Sequence, residues 1–353
     1  MRVLIVTDAW YPQINGVVRT LSAMRDEMTR MGDEIYMLTP EEFTSLPCPT
    51  YPEIRLAIAG PGAVAQVVQQ FLPCAIHIAT EGPLGLAARC LCVKRSLPFT
   101  TAFHTRFPEY IEARLKIPAD WIYPLLRWFH GRSSIVMAPT PLVVRNLSDR
   151  GFHNVRLWGR GVDVDLFKPG PKAHVPGEGP VLLYVGRIAV EKNIAAFLDM
   201  KAEGTKVVVG DGPMIDELRN KHPEAHFVGS QHGHDLVSYY NAADVFVFPS
   251  RTDTFGLVML EALACGVPVA AFPVMGPKDV ITDETAGCLN VDLVIATTTA
   301  LGLNRADCRA FALQRSWTES ANNFRSYLHE LEQHLLANTK TKPRVSRRWG
   351  KLL

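Results

Sequence analysis

Short apolar runs alternate with stretches of helical spacing through most of the chain. The run VLIV inside RVLIVT (2–7) has no polar interruption, which predicts a strand buried on both faces. From Val17 to Met31 the apolar positions follow a helical period, and Gly32 follows as a C-terminal cap. Further strands are expected at 34–39, 54–58, 75–79, 99–103 and 134–138. Helices are expected near 62–72, 83–96 and 119–132. This repeated β-then-α order predicts a parallel α/β sheet.

Residues 159–180 interrupt the alternation. Five glycines and four prolines crowd a stretch without sustained period, the composition of an inter-domain linker. The pattern restarts with strands at 181–186, 206–210, 225–229, 244–249 and 267–272, and helices near 191–203, 213–221, 233–243 and 255–265. The expected fold class is α/β, with two Rossmann-like domains facing a central cleft. The expected division is 1–165 and 166–317 for the domains, 318–337 for a final helix, and 338–353 for a basic, mobile tail. Open α/β sheets bind ligands beyond the carboxyl ends of their strands, so loaded residues are sought just after strands.

Composition narrows the function classes. The 353 residues suffice for two buried cores, and 37 basic against 35 acidic residues leave a net charge of +2 with both signs interspersed. No nucleic-acid partner is expected from that balance. The seven cysteines are an odd number without a disulfide framework, and Cys90 and Cys92 are too close for a CxxC site. Reduced thiols in a cytosolic protein are the expectation. MRVLIVTDAWYP lacks the apolar length and cleavage site of a signal peptide. No stretch approaches the roughly 18 apolar residues of a membrane-spanning helix. The protein is expected to be soluble or held at a membrane surface without crossing it.

The candidate chemistry gathers after strands. YVGRIAVEKN (184–193) delivers Arg187 and Lys192, a planar fork of donors and a compact charge, both suited to a diphosphate. A pair of surface cations is the plain alternative. In SRTDTFGLVMLEALACGVPVA (250–270), Asp253 stands eight positions before Glu261. The first amides of the expected helix, at Phe255, Gly256 and Leu257, form an anion site, and Gly256 permits close approach. An ionised Asp253 beside a phosphate is repelled, so it is expected to face sugar hydroxyls or to act as an ordinary N-cap. Glu261 is the only charge in LVMLEALAC. A buried carboxylate needs partners, either a vicinal diol such as a ribose or an internal ion pair.

Weaker signals accompany these. Gly16 opens a helix after the first strand, where a backbone amide can meet a phosphate or simply form a turn. GDGP (210–213) reads as a tight turn. His104 in FTTAFHTRFPEY follows a strand, placed to orient a sugar, move a proton or satisfy the core. Asp163 and Asp165 in DVD match an Asp-x-Asp metal motif superficially, and turn-capping is the favoured reading.

Taken together these blocks resemble the retaining glycosyltransferases of family 4, which have the GT-B fold. Asp253 and Glu261 fill that family's Glu-x(7)-Glu element. The resemblance runs from TDAWYPQINGVVRTL through PTYPEIRLAI, IHIATEGPLG, FHTRFPEY and RGVDVDLFKP to LEALACGVPV, and its N-terminal blocks are similar to the bacterial diacylglycerol glycosyltransferases. It implies a UDP- or GDP-sugar donor, with Glu261 on the ribose and Arg187 and Lys192 on the diphosphate. Gly16 would approach the diphosphate from the N-terminal half, Asp253 would contact the donor sugar, and His104 would lie beside it. Asp253 is one methylene shorter than the family's Glu. Transfer of a hexosyl or hexuronosyl unit with retention is implied, without a metal or other cofactor, onto a lipid such as diacylglycerol. The alternatives are a soluble sugar or polysaccharide acceptor, a nucleotide-sugar epimerase of the same fold, and a non-catalytic nucleotide-binding module. A Rossmann dehydrogenase is disfavoured because no G-x-G-x-x-G follows the first strand.

The membrane expectation rests on two stretches. Residues 106–132 combine Arg106, Arg114, Lys116, Arg127 and Arg132 with Phe107, Tyr110, Trp121, Tyr123, Trp128 and Phe129. Cations beside amphipathic rings suit an anionic headgroup region, although packing into the core is the ordinary reading. The tail adds Lys340, Lys342, Arg344, Arg347, Arg348 and Lys351. Peripheral binding on the cytoplasmic face of the membrane is therefore expected.

Overall fold

A computed structural model describes residues 1–13, 15–48 and 51–341. Along the first half run β1 (Arg2–Val6), α1 (Gly16–Arg30), β2 (Glu34–Leu38), β3 (Ser45–Cys48), β4 (Tyr51–Ala57), α2 (Pro61–Phe71), β5 (Ala75–Ile78), α3 (Pro83–Arg95) and β6 (Thr100–Ala102). Then come α4 (Phe107–Leu115), α5 (Ala119–His130), β7 (Ile135–Ala138), α6 (Pro141–Asp149) and β8 (Val155–Leu157). The second half holds β9 (Val181–Val185), α7 (Ile194–Asp199), β10 (Thr205–Val209), α8 (Ile215–Lys221), β11 (His226–Gly229), α9 (Gly233–Ala242) and β12 (Val245–Phe248). It continues with α10 (Leu257–Ala264), β13 (Val269–Ala271), α11 (Pro277–Val280), β14 (Gly287–Leu289), α12 (Leu293–Leu301), α13 (Arg305–Leu313) and α14 (Trp317–Thr341).

Two six-stranded parallel sheets result, ordered β2-β1-β5-β6-β7-β8 and β11-β10-β9-β12-β13-β14. Both are sandwiched between apolar layers, as the uninterrupted runs require. Leu4 and Val6 enter one core cluster while Val3 and Ile5 enter another, and Leu183 and Val185 oppose Leu182 and Tyr184 in the same way. The segment at 54–58 departs from the expectation. It belongs to β4, which pairs antiparallel with β3 in a separate two-stranded sheet.

The chain divides into two compact units that are not the contiguous halves 1–165 and 166–317. Among the described residues, one comprises 1–104, 120–159 and 317–341, and the other Thr105–Ala119 and Arg160–Ser316. The C-terminal helix joins the first unit because its apolar stripe Ala321, Phe324, Leu328 and Leu331 completes that core. Phe324 stacks on the buried Trp158 at 4.8 Å, and Arg325 holds the buried Asp33 at 2.6 Å. This helix reaches Thr341, four residues past the expected end at 337. Of the expected tail, Lys342, Arg344, Arg347, Arg348 and Lys351 lie outside the described residues, as does the side chain of Lys340.

The linker residues from Arg160 onward are pinned to the second unit instead of hanging free. Asn241 donates to the carbonyls of Lys168 and Pro171, and Arg309 donates to those of Val164, Phe167 and Ala264. Asp163 caps a turn, its Oδ1 accepting from the amides of Asp165 and Leu166 at 3.1 and 3.0 Å.

Candidate active site

In the second sheet the strand order reverses direction between β9 and β12, the switch point at which such sheets open a crevice. The loop after β9 carries Arg187 and Lys192, and the loop after β12 carries Asp253. Topology alone therefore aims three of the sequence candidates at one place.

The first loop rests on the GDG turn. Gly210 and Gly212 have φ of +144° and +158°, and a Cβ on either would stand 1.9 Å from the Gly186 carbonyl oxygen or 2.3 Å from that of Ile188. The Ile188 amide donates to the Asp211 carbonyl at 2.8 Å, and the Tyr184 hydroxyl donates to the Arg187 carbonyl at 2.7 Å. The two glycines thus permit the backbone contact that fixes Arg187, a role that composition alone reads only as a turn. Gly210→Ala combines a backbone clash with a left-handed φ, which costs at least about 1–3 kcal/mol. A lowered melting temperature is expected, checked by thermal melts of the variant beside the parent.

Lys192 ends a 3-10 turn, Val190–Lys192, and meets Asp253 directly, with Nζ donating to Oδ1 at 2.5 Å. Burial by itself pushes the ammonium pKa down, but the charge of Asp253 and the neighbouring Tyr110 outweigh it and the net shift is upward. Lys192 therefore stays cationic. Tyr110, on α4, accepts from Lys192 Nζ and donates to Asp253 Oδ1, both at 3.3 Å. Burial, then the Asp253 charge, pushes the Tyr110 hydroxyl up, which keeps it protonated. The second carboxylate oxygen, Asp253 Oδ2, is buried without a hydrogen-bond partner among the described residues. A buried carboxylate oxygen of that kind calls for a donor.

The helix after Asp253 begins later than expected. α10 starts at Leu257, not at 255, so Phe255 and Gly256 are not its first helical amides. Gly256 is the cap residue with φ +86°, and Phe255 precedes it, partly buried against the core. Gly256 has no side chain with which to cap the helix. Gly276 sits behind this loop, where a Cβ would stand 2.8 Å from the Asp253 carbonyl oxygen.

Glu261 lies in α10 with 4% of its surface exposed. Its Oε2 accepts a hydrogen bond from the Tyr240 hydroxyl at 2.9 Å. The protein thus supplies one partner itself, a neutral hydroxyl on α9, which neither the diol nor the ion-pair expectation included.

Gly16 and His104 belong to the first unit, after β1 and β6. Gly16 is exposed and opens α1, but the next two amides, of Val17 and Val18, are already held by the Asn15 side chain at 3.0 Å. His104 is partly buried with its ring edge-on to Trp158, 5.7 Å between centroids. Three residues escaped the sequence reading of the site: Tyr110, Arg114 and Glu191. The sequence pattern places Tyr110 and Arg114 at a membrane face or in core packing, and it singles out nothing at Glu191.

Comparison with known proteins places the chain among glycosyltransferases. Residues 14–166 match the profile of Glycosyltransferase Family 4, and residues 179–302 match Glycosyl transferases group 1. A sulfoquinovosyl transferase of Arabidopsis thaliana is 28% identical over 80% of this chain, which spans 62% of that relative's length. A GDP-mannose-dependent alpha-mannosyltransferase of Mycobacterium tuberculosis is 28% identical over 82% of this chain and 83% of its own. An alpha-monoglucosyldiacylglycerol synthase of Streptococcus pneumoniae is 27% identical over 94% and 85%. Among solved structures, a sucrose-phosphate synthase of Thermosynechococcus elongatus superimposes with a TM-score of 0.75 at 20% identity, covering 96% of this chain and 99% of its own. Anabaena HepE in complex with UDP-glucose gives 0.69 at 14% identity, covering 94% and 100%. The chain carries a Glycosyltransferase Family 4 domain followed by a Glycosyl transferases group 1 domain, has the GT-B fold and is related to glycolipid synthases and mannosyltransferases.

Proposed function

We propose that the protein transfers a hexosyl or hexuronosyl unit from a UDP- or GDP-sugar to a membrane lipid such as diacylglycerol, with retention of configuration. The observation that carries the donor assignment is the Lys192–Asp253 pair at the β9/β12 switch point, with one Asp253 oxygen left without a hydrogen bond among the described residues. A cation there opposes the diphosphate, and the spare carboxylate oxygen accepts from sugar hydroxyls. Lys192 also answers the repulsion problem, since it neutralises Asp253 beside a phosphate. Arg187 and Lys192 stabilise the leaving diphosphate as its charge grows, Leu257 opens the α10 terminus toward it, and Glu261 takes the ribose. The leaving phosphate oxygen takes the acceptor proton. Gly16 and His104 keep the roles that the family resemblance assigns to them. UDP in one structural neighbour and GDP-mannose in one relative's name support the donor class. The name of one relative, an alpha-monoglucosyldiacylglycerol synthase, supports a lipid product.

The membrane-facing surface is narrower than the sequence suggested. Tyr123 and Phe129 are buried in the first unit, and Arg106 and Arg114 pair with Glu109 and Glu191. On α5, however, Trp121, Leu125 and Trp128 stand 76%, 61% and 53% exposed at i, i+4 and i+7, one stripe of one helix. Arg89 of α3 lies under the Trp128 ring at 3.9 Å and donates to the carbonyls of Trp128 and Phe129, which fixes that end of the stripe. Exposed Arg127 and Arg132 add positive charge beside it, fitting an anionic interface. No helix among the described residues is long and apolar enough to cross a membrane. A Trp121→Ala/Trp128→Ala double variant is expected to sediment several-fold less with anionic vesicles while melting like the parent. Unchanged sedimentation removes α5 from the membrane reading.

The whole reading is tested by incubating UDP- and GDP-sugars with the protein and diacylglycerol-containing vesicles, resolving products by mass. Glycosyl-diacylglycerol that survives a chelator is the expected product. Sugar transferred only to water-soluble acceptors, or a donor isomerised without acceptor, replaces this reading with a soluble-acceptor transferase or an epimerase.

A further inference from the structure

α4 is threaded unusually. The chain leaves the first unit after His104, forms α4 within the second, and returns at Asp120. Within the second unit α4 engages two consecutive residues of the turn that presents the diphosphate cation. Arg114 forks onto Glu191, with Nη2 at 2.7 Å from both carboxylate oxygens and Nε at 3.2 Å from one. One helical turn earlier on the same face, Tyr110 bridges Lys192 and Asp253. The Glu191 side chain is buried, and its backbone carbonyl accepts from the Thr252 hydroxyl at 3.0 Å. The loops after β9 and β12 are thereby tied to each other and to α4 through adjacent residues.

We propose that Tyr110 and Arg114 are positioning residues that hold the Lys192 ammonium and the Asp253 carboxylate at the spacing the donor requires. The inference rests on the reading of Lys192 as a diphosphate ligand. A lysine carries its charge on a flexible four-carbon stem. Asp253 alone leaves the direction of the ammonium's remaining hydrogens open. The Tyr110 hydroxyl takes one hydrogen from Lys192 and gives its own to Asp253, so two of the ammonium's three donors are directed and one remains for a phosphate oxygen. Arg114 sets the height of the turn from which Lys192 projects, its Nη2 and Nε together fixing the Glu191 carboxylate.

A double-mutant cycle separates positioning from mere packing. Tyr110→Phe keeps the ring and removes one oxygen. Titration with UDP and with GDP is expected to show a three- to tenfold weaker dissociation constant for this variant, at an unchanged melting temperature. In a Lys192→Ala background the same substitution is expected to add no further loss, because Tyr110 acts through the ammonium. Arg114→Met is expected to weaken binding at least as much, with Arg114→Lys recovering part of it. Full additivity of Tyr110→Phe and Lys192→Ala, or parent-like binding by Tyr110→Phe, overturns the positioning role. If Lys192→Ala itself binds both nucleotides like the parent, the donor reading falls first and the positioning role with it.

Discussion

Lys192→Ala is expected to lower turnover by roughly 10²–10³-fold, more than it lowers donor affinity. The size follows from what removal of one preorganised charge-stabilising donor costs in a transition state, about 2.7–4 kcal/mol. Diphosphate charge is greater in the transition state than in the bound donor, so the loss falls on the rate constant. The variant also leaves Asp253 without its counter-ion. Tyr110 alone then faces a partly buried carboxylate, and some loss of stability accompanies the kinetic one. Lys192→Arg keeps the charge but not the compact geometry, and separates the two effects. Single-turnover rates and equilibrium nucleotide binding on the same preparations check the split. Weaker binding with an unchanged rate constant would place Lys192 in ground-state binding only.

The second large effect is expected at Glu261. Glu261→Gln keeps an acceptor for the Tyr240 hydroxyl and fills the same space, so the fold stays intact. It removes the charge from hydrogen bonds to the ribose, worth about 1.5–3 kcal/mol. That corresponds to roughly 10- to 150-fold in dissociation constant. Calorimetric titration with UDP and GDP reads it directly. Parent-like binding would make Glu261 a structural partner of Tyr240 and nothing more. Tyr240→Phe is the companion variant, leaving the carboxylate charged but short of its protein donor.

Much of the fold was legible because its strands are short apolar runs bounded by turn residues. Two parallel α/β halves, and the site loops after β9 and β12, follow from that periodicity. What local pattern cannot supply is partnership at long range. Arg114 and Glu191 are 77 residues apart, Tyr110 and Lys192 are 82 apart, and Tyr110 and Asp253 are 143 apart. A sequence window shows each as an isolated charge or ring, so Tyr110 and Arg114 read as membrane-face or core residues and Glu191 is not singled out. Helix boundaries failed for a local reason. Gly256 adopts a left-handed φ, which delays the start of α10 past Phe255, and a run of apolar letters does not reveal that. The C-terminal helix misled in a third way. Its stripe at 321, 324, 328 and 331 was readable as helical, but the core that it completes lies at the other end of the sequence.

The central claim is that the switch point between β9 and β12 seats a nucleoside diphosphate. A crystal structure of the protein with UDP or GDP tests it most directly. The account predicts phosphate oxygens within hydrogen-bond distance of Lys192 Nζ and the Arg187 guanidinium, with both ribose hydroxyls on the Glu261 carboxylate. A nucleotide bound elsewhere, with the Lys192–Asp253 and Tyr240–Glu261 contacts undisturbed and no phosphate at Lys192, would contradict it.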